Sequence, residues 1–186
     1  MSNLVRCKAC GYIMDGAKLR DLCPACGVPA KQFEPYDDRV KEERRRLLDL
    51  HIHPVIVHAP QAFALSLILL PLALIFTTGG LRSMCLDTTR LMGAALPITV
   101  LAAFLAGLFD GKLRFRKTST PILRKKKLVG GLFFVISLAM GAIALFGNLE
   151  GLGPILGFEV LALGAMGCGA WLGLVGTPLA VAKFPG

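Results

Sequence analysis

The sequence predicts an all-α membrane fold, a four-transmembrane-helix bundle preceded by a small N-terminal metal ribbon. Three observations carry this reading. The chain is very apolar: 54% of its 186 residues are hydrophobic, 18% are charged, and the mean hydropathy is +0.64. Soluble domains do not have that balance. Four long apolar runs follow a charged stretch, each long enough to cross about 30 Å of hydrocarbon as a helix. Two Cys-x-x-Cys pairs, Cys7/Cys10 and Cys23/Cys26, stand at the head of the chain with twelve residues between them.

The first element is residues 1–36. A Cys-x-x-Cys pair closes a tight turn that aims both sulfurs at one point. Two such pairs form a tetrahedral four-sulfur cage, which suits iron or zinc. A glycine follows each pair, Gly11 and Gly27, and lets the turn reach backbone angles other residues avoid. Pro24 stiffens the second turn. Tyr12, Phe33 and Tyr36 are expected to cover the centre. So short a segment cannot bury much surface, so bound metal is expected to supply most of its folding energy. No apolar segment occurs in the first 30 residues, so the N-terminus does not read as a signal peptide.

Cys7-Lys8-Ala9-Cys10-Gly11-Tyr12-Ile13, then Cys23-Pro24-Ala25-Cys26-Gly27-Val28-Pro29, then Phe33, resembles a rubredoxin-type iron module. The short insert is similar to the rubredoxin-like tail of rubrerythrins. The resemblance covers residues 4–36. It implies one iron on four thiolates, cycling between ferrous and ferric. A structural zinc ribbon uses the same ligands, so zinc is the alternative metal.

Residues 37–50 are charged and lack Gly and Pro. Asp37 and Asp38 at the start and arginines later suit the dipole of a juxtamembrane helix, with Val40, Leu47 and Leu50 on one face. A solvated linker is the alternative. The membrane domain is residues 51–186, with crossings at about 54–78, 91–109, 128–149 and 154–176. Pro71 and Pro97 are expected to kink their helices. Gly153/Gly157 and Gly169/Gly173 fit G-x-x-x-G and are expected to pack the bundle or a homodimer.

Orientation follows from Lys and Arg. With four crossings, one side carries fourteen (Arg39 to Arg46, Lys112 to Lys127, and Lys183) and the other only Arg82 and Arg90. That places both termini and the 110–127 loop on the cytoplasmic side of the inner (cytoplasmic) membrane. The net charge of +9 therefore reads as topology and contact with anionic lipid. It does not read as nucleic-acid binding, because the basic residues of the module are offset by Asp15, Asp21 and Glu34.

The three histidines, His51, His53 and His58, all sit at the entrance of the first crossing. Pro54 suits a first helical turn and disfavours helix at His53. The stretch His53-Pro54-x-x-Val57-His58-x-Pro60, with Gly107-x-x-Asp110, resembles bacterial membrane domains of the unknown-function family numbered 2231, over residues 51–150. The chain departs from that pattern at Ala59 and Gln61, and has lysines where a third-crossing histidine is expected. His53, His58 and Asp110 are the candidate cofactor residues, for a quinone or a haem. A His58–Asp110 hydrogen bond would satisfy both groups and allow proton transfer to a quinone. A haem needs two facing axial ligands, which one helix end does not supply, so the sequence argues against haem unless two copies of His58 share it in a dimer. Glu159 sits near the opposite end of the bundle, where it reads either as an outer-side proton or ion ligand or as a partner of Asn148 or Arg90. Cys85 and Cys168 are expected to be inert.

These features predict a membrane-anchored one-electron carrier with a cytoplasmic Fe(Cys)4 centre. Its expected partners are a soluble redox protein and a membrane redox partner or quinone. No nucleophile, triad or phosphate loop is present, so the chain reads as a carrier more than a catalyst, and as an oxidoreductase if it is an enzyme. The alternative is a zinc ribbon that recruits a protein partner to a membrane anchor or small transporter.

Overall fold

A computed structural model describes residues 4–37, 42–115 and 119–180. The chain divides into two compact units, residues 1–45 and 46–185.

The first unit is a three-stranded antiparallel sheet of order β2-β1-β3. Strand β1 (Leu4–Cys7) pairs with β2 (Ile13–Asp15) on one side and β3 (Phe33–Pro35) on the other. In this register Arg6 lies opposite Glu34, and their side chains form an ion pair at 2.6 Å. The Arg6 guanidinium also lies over the Tyr36 ring. Asp15 ends β2 by accepting the Ala17 N–H, which starts a 3-10 turn over Gly16–Lys18. Among the described residues of this unit, only Cys7 and Cys23 are fully buried. Tyr12, expected to cover the centre, is 43% exposed, whereas Phe33 and Tyr36 are half-buried. There is almost no apolar core.

Helix α1 (Glu42–Asp49) opens the helical part of the chain. Val40 lies outside the described residues. Leu47 and Leu50, expected on a shared apolar face, are exposed, and Leu48 between them is buried instead. His51 then takes a left-handed conformation at φ 49°. Helix α2 (Ile52–Ile56) follows, then α3 (His58–Phe76). The break at Val57 has a local cause. Pro60 offers no N–H to the Ile56 carbonyl, and its ring crowds that oxygen. The sequence disfavoured helix at His53, yet His53 is inside α2, with Pro54 in the first turn where its missing N–H costs nothing.

Helix α4 (Gly79–Phe115) has 37 residues, about 55 Å at 1.5 Å per residue. The expected crossing, residues 91–109, is only its uncharged middle. Helix α5 (Pro121–Phe146) starts seven residues before the expected 128, because Thr120 caps it and Pro121 fits the first turn. Helix α6 runs Leu152–Ala180.

Each of α3 to α6 packs on its chain neighbour, and α3 also packs on α6, closing a four-helix bundle. Leu67, Leu96, Val100, Phe133, Met140 and Phe158 meet in the core. The outer faces are apolar too: Leu69, Ile98, Leu132 and Val160 are exposed. A bundle apolar on both faces needs an apolar solvent, and four helical segments are long and apolar enough to cross a membrane.

The tightest helix contact is between α4 and α5. A Cβ on Gly93 would lie 2.5 Å from the Ala144 Cβ, and one on Gly141 would lie 3.1 Å from the Gly93 carbonyl oxygen. Pro97 cannot donate to that carbonyl, so the freed oxygen faces a glycine of the neighbouring helix, where only a small residue fits. The G-x-x-x-G pairs of α6 behave differently. Gly153, Gly157 and Gly173 have nothing within 4 Å of a built Cβ, and Gly169 meets only the Phe133 ring at 3.7 Å. They do not set the packing within the chain.

Candidate functional site

The four cysteines come together as their spacing requires. Cys7 ends β1, and Cys10 lies one turn later. The turn closes with Gly11 N–H donating to the Cys7 carbonyl at 2.9 Å and Cys7 N–H donating to the Tyr12 carbonyl at 2.8 Å. The second turn repeats this. Gly27 N–H donates to the Cys23 carbonyl at 2.9 Å, and Cys23 N–H to the Val28 carbonyl at 2.8 Å. Gly11 and Gly27 sit at φ 76° and 75°, a conformation that costs a residue with a side chain about 1–2 kcal/mol.

The sulfurs of Cys7, Cys10, Cys23 and Cys26 all lie within 4.8 Å of one another. Cys7–Cys26 and Cys10–Cys23 are 3.8 Å apart. That is far beyond the roughly 2.05 Å of a disulfide. A tetrahedron with metal–sulfur bonds of about 2.3 Å has edges of about 3.8 Å, so the donor set fits one four-coordinate ion of iron or zinc. The thiols are not equivalent. Burial pushes the Cys23 thiol up, but the Cys26 and Ala25 N–H groups aimed at its sulfur prevail and bring it down to about 7. At Cys26 the Val28 N–H lowers the thiol, but crowding by the other three sulfurs prevails and pushes it up to about 12. Main-chain N–H groups turned toward sulfur favour the thiolate, the form a metal binds. Cys7 and Cys23 are buried, while Cys10 and Cys26 are exposed, so the cage has one outward edge.

The second candidate site lies within the helical unit. A cavity of about 360 Å³ opens where α2 and α3 begin, α4 ends, α5 begins and α6 ends. His53, His58 and Asp110 all line it. Their contacts differ from those expected. Asp110 accepts from Arg114 Nε at 2.8 Å, one helical turn on, so its partner is Arg114 and not His58. His58 is exposed. His53 is the half-buried histidine. Its ring lies over Gly107, where a Cβ would come within 2.9 Å, and its Nδ1 is buried without a hydrogen-bond partner. His51 is exposed, with Nδ1 2.7 Å from the Asp49 carbonyl.

Three charged cavity residues were not singled out as site residues from sequence, Arg114, Lys126 and Lys127. The signal was present. The buried face of α5 runs Gly130, Phe133, Ser137, Met140, and its period continues back to Lys126. On α4 the same period runs Val100, Ala103, Gly111, Arg114. Elsewhere, Glu159 is buried with Oε1 unpartnered, so neither Asn148 nor Arg90 satisfies it: Asn148 accepts from the Glu150 N–H, and Arg90 lies near Asp87. Cys85 packs with Leu74 and Ile155, and Cys168 packs against the main core.

Compared with known proteins, residues 6–34 match the family described as rubrerythrin, rubredoxin-like domain. No curated protein and no solved structure matches the chain. No match supports the resemblance of residues 51–150 to the family numbered 2231.

Proposed function

We propose that this protein is a membrane-anchored one-electron carrier whose N-terminal module holds a single iron on Cys7, Cys10, Cys23 and Cys26. The observation that carries this reading is the four-sulfur cage inside a segment that matches a rubredoxin-like domain, on a chain that continues into four apolar helices. An iron in such a cage supplies a one-electron ferrous/ferric couple and leaves no coordination position for a substrate. The protein contributes the rest. Buried Cys7 and Cys23 anchor the cage to the sheet, and exposed Cys10 and Cys26 present its edge to a soluble redox partner. The N–H groups around the sulfurs hold the thiolate charge in place. The excess of Lys and Arg beside the apolar runs supports a cytoplasmic module on the inner membrane, a compartment in which free thiols persist. The bundle keeps the carrier at the bilayer.

A redox titration of the full chain in detergent tests this. The expected result is reversible uptake of one electron per chain with the metal retained through the cycle. A chain that takes up no electron while holding a stoichiometric metal would leave the module a structural zinc ribbon, with protein recruitment as its role.

A further inference from the structure

The bundle cavity has mostly apolar walls and one polar end. Its walls include Phe104 and Phe133. Glycines of α4, α5 and α6 give it smooth surfaces, and Gly173 has nothing within 4 Å of a built Cβ. The polar end is small and particular. His53 offers a buried Nδ1 with no partner. Lys126 lies beside it in the lining, its Nζ 3.2 Å from where a Gly176 Cβ would be. The charge of Arg114 is already answered by Asp110, whose two oxygens lie 3.0 and 2.8 Å from Nε. That leaves two ammonium groups, Lys126 and Lys127, and two imidazoles in the lining, and of these the buried, unpartnered Nδ1 of His53 is the group that calls for a hydrogen-bonding oxygen. The cavity also lies where the uncharged runs of α4 and α5 meet their charged ends, at Asp110 and Lys127. A lipid-soluble ligand placed there has its headgroup at the border and its tail among the helices. A cavity of this volume holds a small ring system.

We propose that this cavity is the binding site for a quinone headgroup, with His53 hydrogen-bonded to one carbonyl oxygen and Lys126 facing the same oxygen. The choice of ligand class rests on the electron-carrier reading, because a carrier fixed in a bilayer needs a redox counterpart that diffuses there. The cavity itself does not depend on that reading. His53 is the main anchor in this arrangement, and exposed His58 stands at the rim.

Thr177, an exposed lining residue on α6, takes the reporter: Thr177→Trp in a Trp171→Phe background gives the chain a single tryptophan, at the cavity. The full chain carrying this reporter, in nanodiscs, is titrated with ubiquinone-1 and with menadione while its fluorescence is followed. The expected result is saturable quenching. Gly173→Phe, which fills open space, and His53→Ala are each expected to raise the half-saturating concentration about tenfold or more. Gly173→Phe keeps the test decisive if His53→Ala does not fold. Quenching that stays linear and is the same in the reporter chain with and without Gly173→Phe reports partition into lipid and overturns the site. Saturable displacement of a fluorescent fatty acid by oleate, without saturable quinone quenching, overturns it in favour of an acyl carboxylate. The assay reads the Thr177→Trp reporter and not the metal, so the two proposals fail separately. Saturable quinone binding to a chain that takes up no electron sustains the site and removes the carrier. Linear quenching in a redox-active chain removes the site alone.

Discussion

Replacing Cys7 or Cys23 with serine is expected to reduce bound metal to below about a tenth of an ion per chain and to unfold the N-terminal module. These two side chains are the only fully buried ones among the described residues of that unit. The three strands hold ten residues in total, four, three and three, and an Arg6–Glu34 pair that is about one-third exposed adds at most about 1 kcal/mol. Apolar burial on this scale does not offset the ordering of some thirty residues. Metal binding worth on the order of 10 kcal/mol does. The sheet and the two turns are therefore expected to form only with the ion. Limited trypsin digestion checks this at Lys8, Lys18, Arg20 and Lys31, four sites within the module. Their side chains are exposed in the folded module, and in either variant the backbone beside them is expected to become cleavable as the turns unfold, while far-UV circular dichroism keeps its helical signal, because the helical bundle has its own core. A module that remains protease-resistant in the absence of metal would refute this account of its stability.

Gly93→Leu is expected to be the most damaging single change in the bundle. Its Cβ would meet the Ala144 Cβ at 2.5 Å, and the longer side chain has no way round a neighbouring helix at that distance. Overpacking of this kind costs about 3 kcal/mol, which corresponds to a fall of roughly 10 °C in the thermal midpoint of a chain this size. Gly157→Leu is the control. Gly157 belongs to a G-x-x-x-G pair but has open space around it, so the midpoint is expected to move by no more than about 2 °C. Thermal unfolding in detergent, followed by circular dichroism at 222 nm, separates the two. A larger effect at Gly157 than at Gly93 would mean that the motif on α6 carries the packing after all, between copies of the chain.

The contrast between these glycines shows which parts of the molecule could be read from the sequence. The metal cage was legible because its ligands come in local pairs, and each turn is specified by the cysteines and the glycine that follows. The four helices were legible because a long uncharged run has few other fates. Their ends were not. Arg82, Asp87 and Arg90 suggest a loop, but charges interrupt only the apolar run, and α4 continues through them from Gly79. Gly93 and Gly141 form no motif, since their relation exists only once α4 and α5 lie side by side. The cavity was half legible. His53, His58 and Asp110 do line one space, but the proposed His58–Asp110 contact gave way to an ion pair within α4, because Arg114 lies one turn from Asp110 on the same helix. Lys126 was counted as a topological charge within a lysine run, although the period of the α5 face already brought it inward.

The central claim is that the module carries redox-active iron, and metal analysis together with EPR on one sample tests it most directly. The full chain is purified in detergent from cells supplied with iron and measured as isolated and after dithionite. The account predicts close to one iron per chain, a red protein with a high-spin ferric signal, and loss of both colour and signal on reduction. A colourless, EPR-silent protein with one zinc per chain would contradict it.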